Sequence, residues 1–369
     1  MILPWQSARN SYRCVNSRAF PRMRDVARLV GVHASTVSLA LRDHPSIPPA
    51  TRERVRRAAE RLGYQAHPLV SALMSFRRSA RGGPRHTTLA FVTTSRPTNA
   101  WRESRTLRDQ LAGAQDRAQM QGYHIEEFPL YAPGMTPVRY NHMLRSRGIL
   151  GLIIAPLRHD SDTVPIQWDH FAAVALAFTL QRPAIPRVGN DHNQSMRLAI
   201  AECRRRGYRR IGLAVQRNVM ERIEEQWLAG FLVEHALPAC RAAPQPLITE
   251  TLAEESFIRW FRAQRPDVVL TGGGPTSILK WLQRAGVRVP RDAGVASLDL
   301  QVRDGSIAGI DQHSEDIGAS VVDQLIGRLH RNELGAPARA VRLHVMGEWL
   351  EGATMRPPRV PDLNCPRRF

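Results

Sequence analysis

Residues 24–42 read RDVARLVGVHASTVSLALR. Val26, Ala27 and Val30 recur at helical spacing and point one way, Gly31 permits a tight turn, and a second helix is expected to begin after Val32-His33. In that second helix Val37 and Leu41, four apart, are expected to face a core. Ala34, Ser35, Ser38, Leu39 and Arg42 are then left for a DNA major groove. A third helix is expected after Pro49, with Val55, Ala58, Ala59 and Leu62 on one face and Gly63 at its end. The pattern is that of a helix-turn-helix.

Charge supports a polyanionic partner for this segment. The chain has 52 Lys+Arg against 33 Asp+Glu, a formal +19. Between residues 22 and 81, twelve arginines against Asp25, Asp43, Glu53 and Glu60 leave +8, so much of the surplus sits in a small part of the chain. After the third helix, Tyr64-Gln65-Ala66-His67-Pro68-Leu69-Val70-Ser71-Ala72-Leu73 places Pro68 at a helix start on a segment too short to fold alone. DNA or a partner copy would have to order it.

Residues 77–86, RRSARGGPRH, read as a linker. Beyond them apolar runs alternate with amphipathic stretches. Strands are expected at 89–93, 150–155, 172–178, 211–215, 268–271 and 295–298, and helices at 104–121, 192–206, 220–236, 254–264 and 276–285. Such alternation implies parallel sheets covered by helices, and its length, with the similar joints Gly122-Tyr123 and Gly207-Tyr208, points to two lobes. The expected fold class is therefore α/β: an all-α helix-turn-helix arm and hinge, then two doubly wound parallel-sheet lobes. The expected divisions are 1–21, a disordered extension; 22–66, the DNA-binding domain; 67–85, hinge helix and linker; 86–350, the two-lobed effector-binding and dimerisation domain; and 351–369, a tail.

The remaining chemistry is mostly exclusion. Cys14, Cys203, Cys240 and Cys365 are widely spaced, which suggests neither a disulfide framework nor a zinc site and fits a reducing cytoplasm. The longest apolar stretches, 149–157 and 172–180, are about half of what a membrane helix needs, and the first twenty residues lack a signal-like apolar run. Neither HExxH nor Gly-x-Ser-x-Gly occurs, and Gly272-Gly273-Gly274-Pro275 lacks the ending of a phosphate-binding loop, reading better as a flexible cleft-edge loop. His192, His313 and His330 read as surface or capping residues. No metal or cofactor is expected. An enzyme merely localised by the arm, and an exported sugar-binding protein, are the competing readings. The missing catalytic set argues against the first, and the basic arm against the second.

The arm resembles the LacI-type (lactose-repressor) family in Asp25-Val26-Ala27, Gly31-Val32-His33, Thr36-Val37-Ser38, and Thr51-Arg52-Glu53-Arg54-Val55 through Gly63-Tyr64. The resemblance continues more weakly through Val188-Gly189-Asn190-Asp191, Gly207-Tyr208-Arg209-Arg210-Ile211, Leu228-Ala229-Gly230-Phe231, and Ile310-Asp311-Gln312 leading to Gly318. It implies a homodimeric, cytoplasmic, non-enzymatic transcriptional regulator, a repressor in the usual case. Two arms would read near-palindromic operator DNA, and two lobes resembling periplasmic sugar-binding proteins would close on a small-molecule effector, a sugar or related metabolite. His33, Ala34, Ser35, Thr36, Ser38, Leu39, Arg42 and His67 are the implied DNA contacts. Leu73 matches the leucine that wedges into the minor groove, with linker packing as its alternative role. His33 stands where serine is common and Leu39 where arginine is common. Leu39 can meet a thymine methyl but cannot bond guanine, and is equally readable as partly buried.

The resemblance also assigns effector residues. Asp299, just past the run 294–298, matches an acceptor of effector hydroxyls, the alternative being a loop or capping aspartate. Asp191 either faces the effector or caps the helix beginning near Asn193. Trp227 occupies the position of an effector-gripping arginine and can stack on a sugar face or pack helix to lobe.

Overall fold

The computed structural model describes residues 23–41, 47–62, 87–157, 163–236 and 244–358. These fall into two compact units, one within residues 1–81 and one within 82–369. The expected extension 1–21, the hinge and linker 67–85, and with them Arg42, His67 and Leu73, lie outside the described residues.

In the first unit α1 (Met23–Val30), α2 (Ala34–Ala40) and α3 (Pro49–Leu62) enclose a small core of Val26, Ala27, Val30, Val37, Ala40, Ile47, Val55, Ala58 and Ala59. Gly31 takes the left-handed conformation (φ +72°) that turns the chain out of α1. Arg54 of α3 donates to the Val30 carbonyl at 2.9 Å, satisfying an orphaned acceptor at the end of α1. Ala40, rather than the expected Leu41, is the second fully buried residue of α2, and Leu41 is partly buried beside it.

The second unit carries two six-stranded sheets. The first has the order β11-β5-β4-β3-β1-β2, from β1 (Thr87–Thr93), β2 (Tyr123–Pro129), β3 (Gly151–Ile154), β4 (Ala172–Leu176), β5 (Arg187–Asn190) and β11 (Arg342–Val345), all parallel. The second has the order β12-β10-β9-β8-β6-β7, from β6 (Ile211–Gln216), β7 (Leu247–Thr249), β8 (Val268–Thr271), β9 (Gly294–Ser297), β10 (Ala308–Asp311) and β12 (Glu348–Leu350). There only β12 runs antiparallel, against β10. Central strands such as 89–92, 151–154 and 172–176 are buried throughout, as a sheet covered on both faces requires. Membership of the sheets shows the chain crossing between lobes after β5, after β10 and after β11.

The helices of this unit include α4 (Arg105–Met120), α5 (Pro137–Ser146), α6 (His192–Arg205), α7 (Arg217–Arg222), α8 (Gln226–Ala236), α9 (Glu254–Gln264), α10 (Pro275–Arg284) and α11 (Ser314–Arg331). The single helix expected over 220–236 is two, because Glu224 and Glu225 between them adopt φ of +53° and +52°. The expected tail beginning at 351 is partly built into the second lobe. Thr354 accepts from Val295 N (3.1 Å) and, through Oγ1, from Ala308 N (3.0 Å), and Met355 lies in the core.

α4 and α11 approach closely because glycines face each other's backbone. A Cβ on Gly318 would lie 1.9 Å from the Gln110 carbonyl oxygen, and one on Gly113 would lie 2.0 Å from that of Glu315. Neither neighbour is a flexible side chain. Gly318→Ala should therefore push the helices apart and destabilise the unit by about 1–3 kcal/mol, read as a lower urea midpoint. An unchanged midpoint would contradict this packing.

Candidate functional site

The outer side of α2 is assembled from short polar residues. His33 takes the N-cap position in extended backbone, its Nδ1 accepting from Ser35 N at 3.3 Å and pairing with Ser35 Oγ at 2.8 Å. The ring thus does the capping that serine or threonine oxygens ordinarily do. His33 and Ser35 are exposed, Thr36 and Ser38 half-buried, and Ala34 and Leu39 partly buried against the arm's core. Leu39 is therefore in part a packing residue. Arg24, Arg28, Arg54, Arg56, Arg57 and Arg61 are exposed around this small unit.

The second unit holds a cavity of about 450 Å³ between its lobes. Its walls come from segments at and just past the carboxyl ends of β1 (Thr93 to Arg96), β3 (Ala155 to Leu157), β6 (Asn218 to Trp227), β8 (Gly272) and β9 (Asp299), with Trp101 and Gln110 from around α4. β1 and β6 are the strands at which the sheet order reverses, where parallel sheets leave a crevice for ligands. Trp227 and Asp299 both line it. Asp191 does not: its Oδ1 accepts from Gln194 N at 2.9 Å and caps α6, while its neighbours Asn190 and His192 reach the cavity instead. The reading of His192 as a surface or capping residue is likewise corrected. It is buried, edge-on to Trp227 at 5.3 Å, and burial, then His344, pushes its pKa down to about 3. His330 is exposed, and His313 precedes α11 in left-handed backbone without a capping side-chain bond.

Six buried polar atoms on these walls have no hydrogen-bond partner among the described residues: Thr93 Oγ1, Thr94 Oγ1, Trp101 Nε1, Gln110 Oε1, His192 Nδ1 and Trp227 Nε1. Leaving one such group dry and unpaired costs about 1–3 kcal/mol, so their convergence on one cavity marks a place for a polar guest. Sequence reading missed all but Trp227, because they converge only when two lobes fold. Burial raises the Asp299 carboxyl to about 6, a bond with Gln301 opposing it and the Asp311 charge adding to it. Gln301 also donates to Thr106 Oγ1 of α4 at 3.2 Å, so Asp299 is tied through it to the opposite lobe. A second tie runs from the α7–α8 joint. Glu224 accepts from Arg342 of β11 (2.9 Å) and Gln181 (3.4 Å), and pairs with Arg187 of β5 (3.7 Å).

Residues 22–67 match the LacI family of bacterial regulatory proteins, and residues 200–354 match the periplasmic binding protein-like domain. The chain joins a LacI-family DNA-binding domain to a periplasmic binding protein-like domain. It is a DNA-binding transcriptional regulator, built as a helix-turn-helix arm followed by two parallel-sheet lobes. Among curated relatives of this LacI-type chain, the HTH-type transcriptional repressor MelR of Bacillus subtilis (strain 168) is 25% identical over 345 residues, 85% of this chain and 92% of that protein. The NTD biosynthesis operon regulator NtdR of the same organism is 21% identical over 324 residues, 85% of this chain and 94% of that one. Among solved structures, the transcriptional regulator CelR in complex with cellobiose superposes with a TM-score of 0.55 at 19% identity, covering 90% of this chain and 99% of that one. A Lac repressor dimer bound to operator and the anti-inducer ONPF gives 0.54 at 17%, covering 91% and 99%. At these identities the structural likeness is one of fold. Among the described residues no helix is long and apolar enough to cross a membrane.

The raised Asp299 pKa has a consequence for stability. Its folded value of about 6 lies above the ordinary 3.8, so the protonated form is favoured by folding, and that stability is full below about pH 4 and lost as pH rises through 6. Asp299→Asn should therefore make the ligand-free protein more stable near neutral pH by about 1–3 kcal/mol, the gain vanishing toward pH 4. Denaturant titrations at both pH values test this. An equal difference at both would show the carboxylate is not strained by its burial.

Proposed function

We propose that the chain is a homodimeric cytoplasmic repressor of a near-palindromic operator, released or engaged by a polyhydroxylated small molecule held in the cavity between the lobes. The observation that carries the effector half is the set of six unpaired polar atoms around Trp227 and Asp299. An indole beside a carboxylate and several hydroxyls suits a sugar-like molecule, the ring face stacking and the hydroxyl groups bonding. A CelR structure holding cellobiose and a Lac repressor structure that is a dimer on operator lend support by analogy.

In this reading residues 22–66 form the DNA-binding domain, 67–85 the hinge, and 86–350 the effector and dimerisation domain. His33, Ala34, Ser35, Thr36, Ser38, Leu39, Arg42 and His67 meet DNA, and Leu73 wedges the minor groove. Asp299 accepts ligand hydroxyls and Trp227 packs on the ligand. Asp191 acts only indirectly, by capping α6. The effector signal passes through relative lobe movement, and Glu224 is its structural lever, since the joint that holds it connects Arg222 and Trp227 on the cavity wall to Arg187 and Arg342 on the other lobe. Two consecutive non-glycine residues in left-handed backbone, at about 1 kcal/mol or more each, persist only where surrounding contacts hold them.

The DNA half is tested by truncation. A chain beginning at Arg85 should lose operator binding entirely, one beginning at Phe20 should keep it, and for the full chain log K should fall steeply with log salt, as phosphate neutralisation demands. Retained binding by the shorter chain, in a gel-shift titration, would refute the assignment. The lever is tested separately. Glu224→Ala should loosen the lobes, enlarging the radius of gyration in solution scattering and changing ligand affinity and the ligand's effect on operator binding, a coupling of about 1–3 kcal/mol in the wild type. Unchanged scattering together with unchanged coupling would remove Glu224 from the mechanism.

A further inference from the structure

Most of the described arginines of the lobes are tied down. Arg204 and Arg197 bind Glu234 at 2.7 and 3.1 Å, Arg303 binds Asp311 at 2.7 Å, Arg217 binds Glu250 at 2.7 Å, and Arg206 is enclosed by Glu202 and Glu351. Of the two arginines on the cavity wall, Arg96 lies over the Tyr131 ring at 3.9 Å. Arg222 is different. It ends α7 on the same wall, retains solvent contact, and its guanidinium has no hydrogen bond or ion pair among the described residues. The crowding of the lobes around it disfavours its charge, and no carboxylate offsets this. Asp299, the acid of the wall, is bonded to Gln301, and its nearest charge effect comes from Asp311, so it does not neutralise Arg222 either.

A cavity of this kind has two separate demands. One end wants hydroxyl donors for a carboxylate and acceptors and donors for the unpaired hydroxyl, amide and indole groups. Another end presents an unpaired, forked cation. If the lobes closed on a neutral molecule, Arg222 would lose water and gain nothing, which is expensive for any charge. A ligand that brings its own anion removes that cost through charge-assisted, two-pronged hydrogen bonds.

Resting on the reading of the cleft as an effector site, we propose that the ligand is a polyhydroxylated anion, a sugar-like molecule bearing a carboxylate or phosphate group. Its anionic group is held by Arg222 while its hydroxyls meet Asp299 and the unpaired atoms of Thr93, Thr94 and Trp227.

The test uses the full chain and matched sets of probes: neutral sugars, the corresponding aldonates and uronates, the corresponding sugar phosphates, and inorganic phosphate alone. Thermal shift identifies binders and calorimetry ranks them. An anionic member should bind about 10- to 100-fold tighter than its neutral parent, and the carboxylate and phosphate arms separate the two anions. Arg222→Gln should erase that margin and Arg222→Lys keep part of it, with melting temperatures of the free variants unchanged because Arg222 makes no contact that folding needs. Asp299→Asn should weaken neutral and anionic members alike. A neutral sugar bound as tightly as its acid, with Arg222→Gln without effect, overturns the anionic ligand while Asp299→Asn still reports a polyol cleft. Failure of every probe overturns both.

Discussion

The second unit depends on how one indole is placed. Trp227 lies almost fully buried across the backbone of Gly272, so close that a Cβ there would sit 2.1 Å from a ring carbon. The same ring belongs to the core formed by Met196, Phe231, Leu270 and Leu298, while its Nε1 ends unpaired on the cavity wall. A change at the cavity therefore reaches the core of the lobe without an intermediary. Trp227 also meets His192 edge-on, His192 meets Phe178 at 6.2 Å, and Phe178 meets His344 at 5.4 Å. His192 begins the crossover after β5 and His344 lies in β11, just before another, so the indole abuts a chain of rings that spans two of the places where a hinge must bend. The glycine of the run 272–274 that matters is thus Gly272, which packs against Trp227 and lines the cavity.

What could be read from the sequence was what is local. The arm's three helices lie within about forty residues, their apolar positions recur at helical spacing, and Gly31 and Pro49 mark their ends, so periodicity alone places them. Asp299 was legible as a cavity residue from its place just past a strand of a parallel sheet, and Trp227 from the resemblance around Leu228-Ala229-Gly230-Phe231. Asp191 obeys the same rule in sequence, yet its carboxylate turns back to cap α6, a choice of local backbone and rotamer that residue type does not reveal. The break between α7 and α8 has no glycine or proline to announce it. It is held by pairing between Glu224 and arginines far away in the chain, and such long-range causes leave no local mark. α11 is another matter: Ile317, Val321, Val322 and Leu325 carry a plain helical period that could have been found.

Arginine performs two physical tasks in this chain, which is why net charge alone says little about the partner. In the lobes it is mostly a structural cross-link. Arg206, with no exposed side-chain surface, joins Glu202 of α6 to Glu351 beyond β12 and covers Trp349 at 5.0 Å, fastening the C-terminal strand to the lobe. A lysine could not replace it, having a single ammonium rather than a planar fork able to meet two carboxylates. Those pairs cancel at a distance and give no field for DNA to feel. In the arm the balance differs. Glu53 is shared by Arg56 and Arg57 and Arg54 holds the Val30 carbonyl, while Arg24, Arg28 and Arg61 are exposed around the small core. Charge that folding does not use stays available to phosphates, and residues 22–81 hold +8 of the +19 in a small part of the chain. The same criterion, an arginine left without structural employment, separates Arg222 from Arg96, the other arginine of the cavity wall. Function in this protein is found where pairing stops.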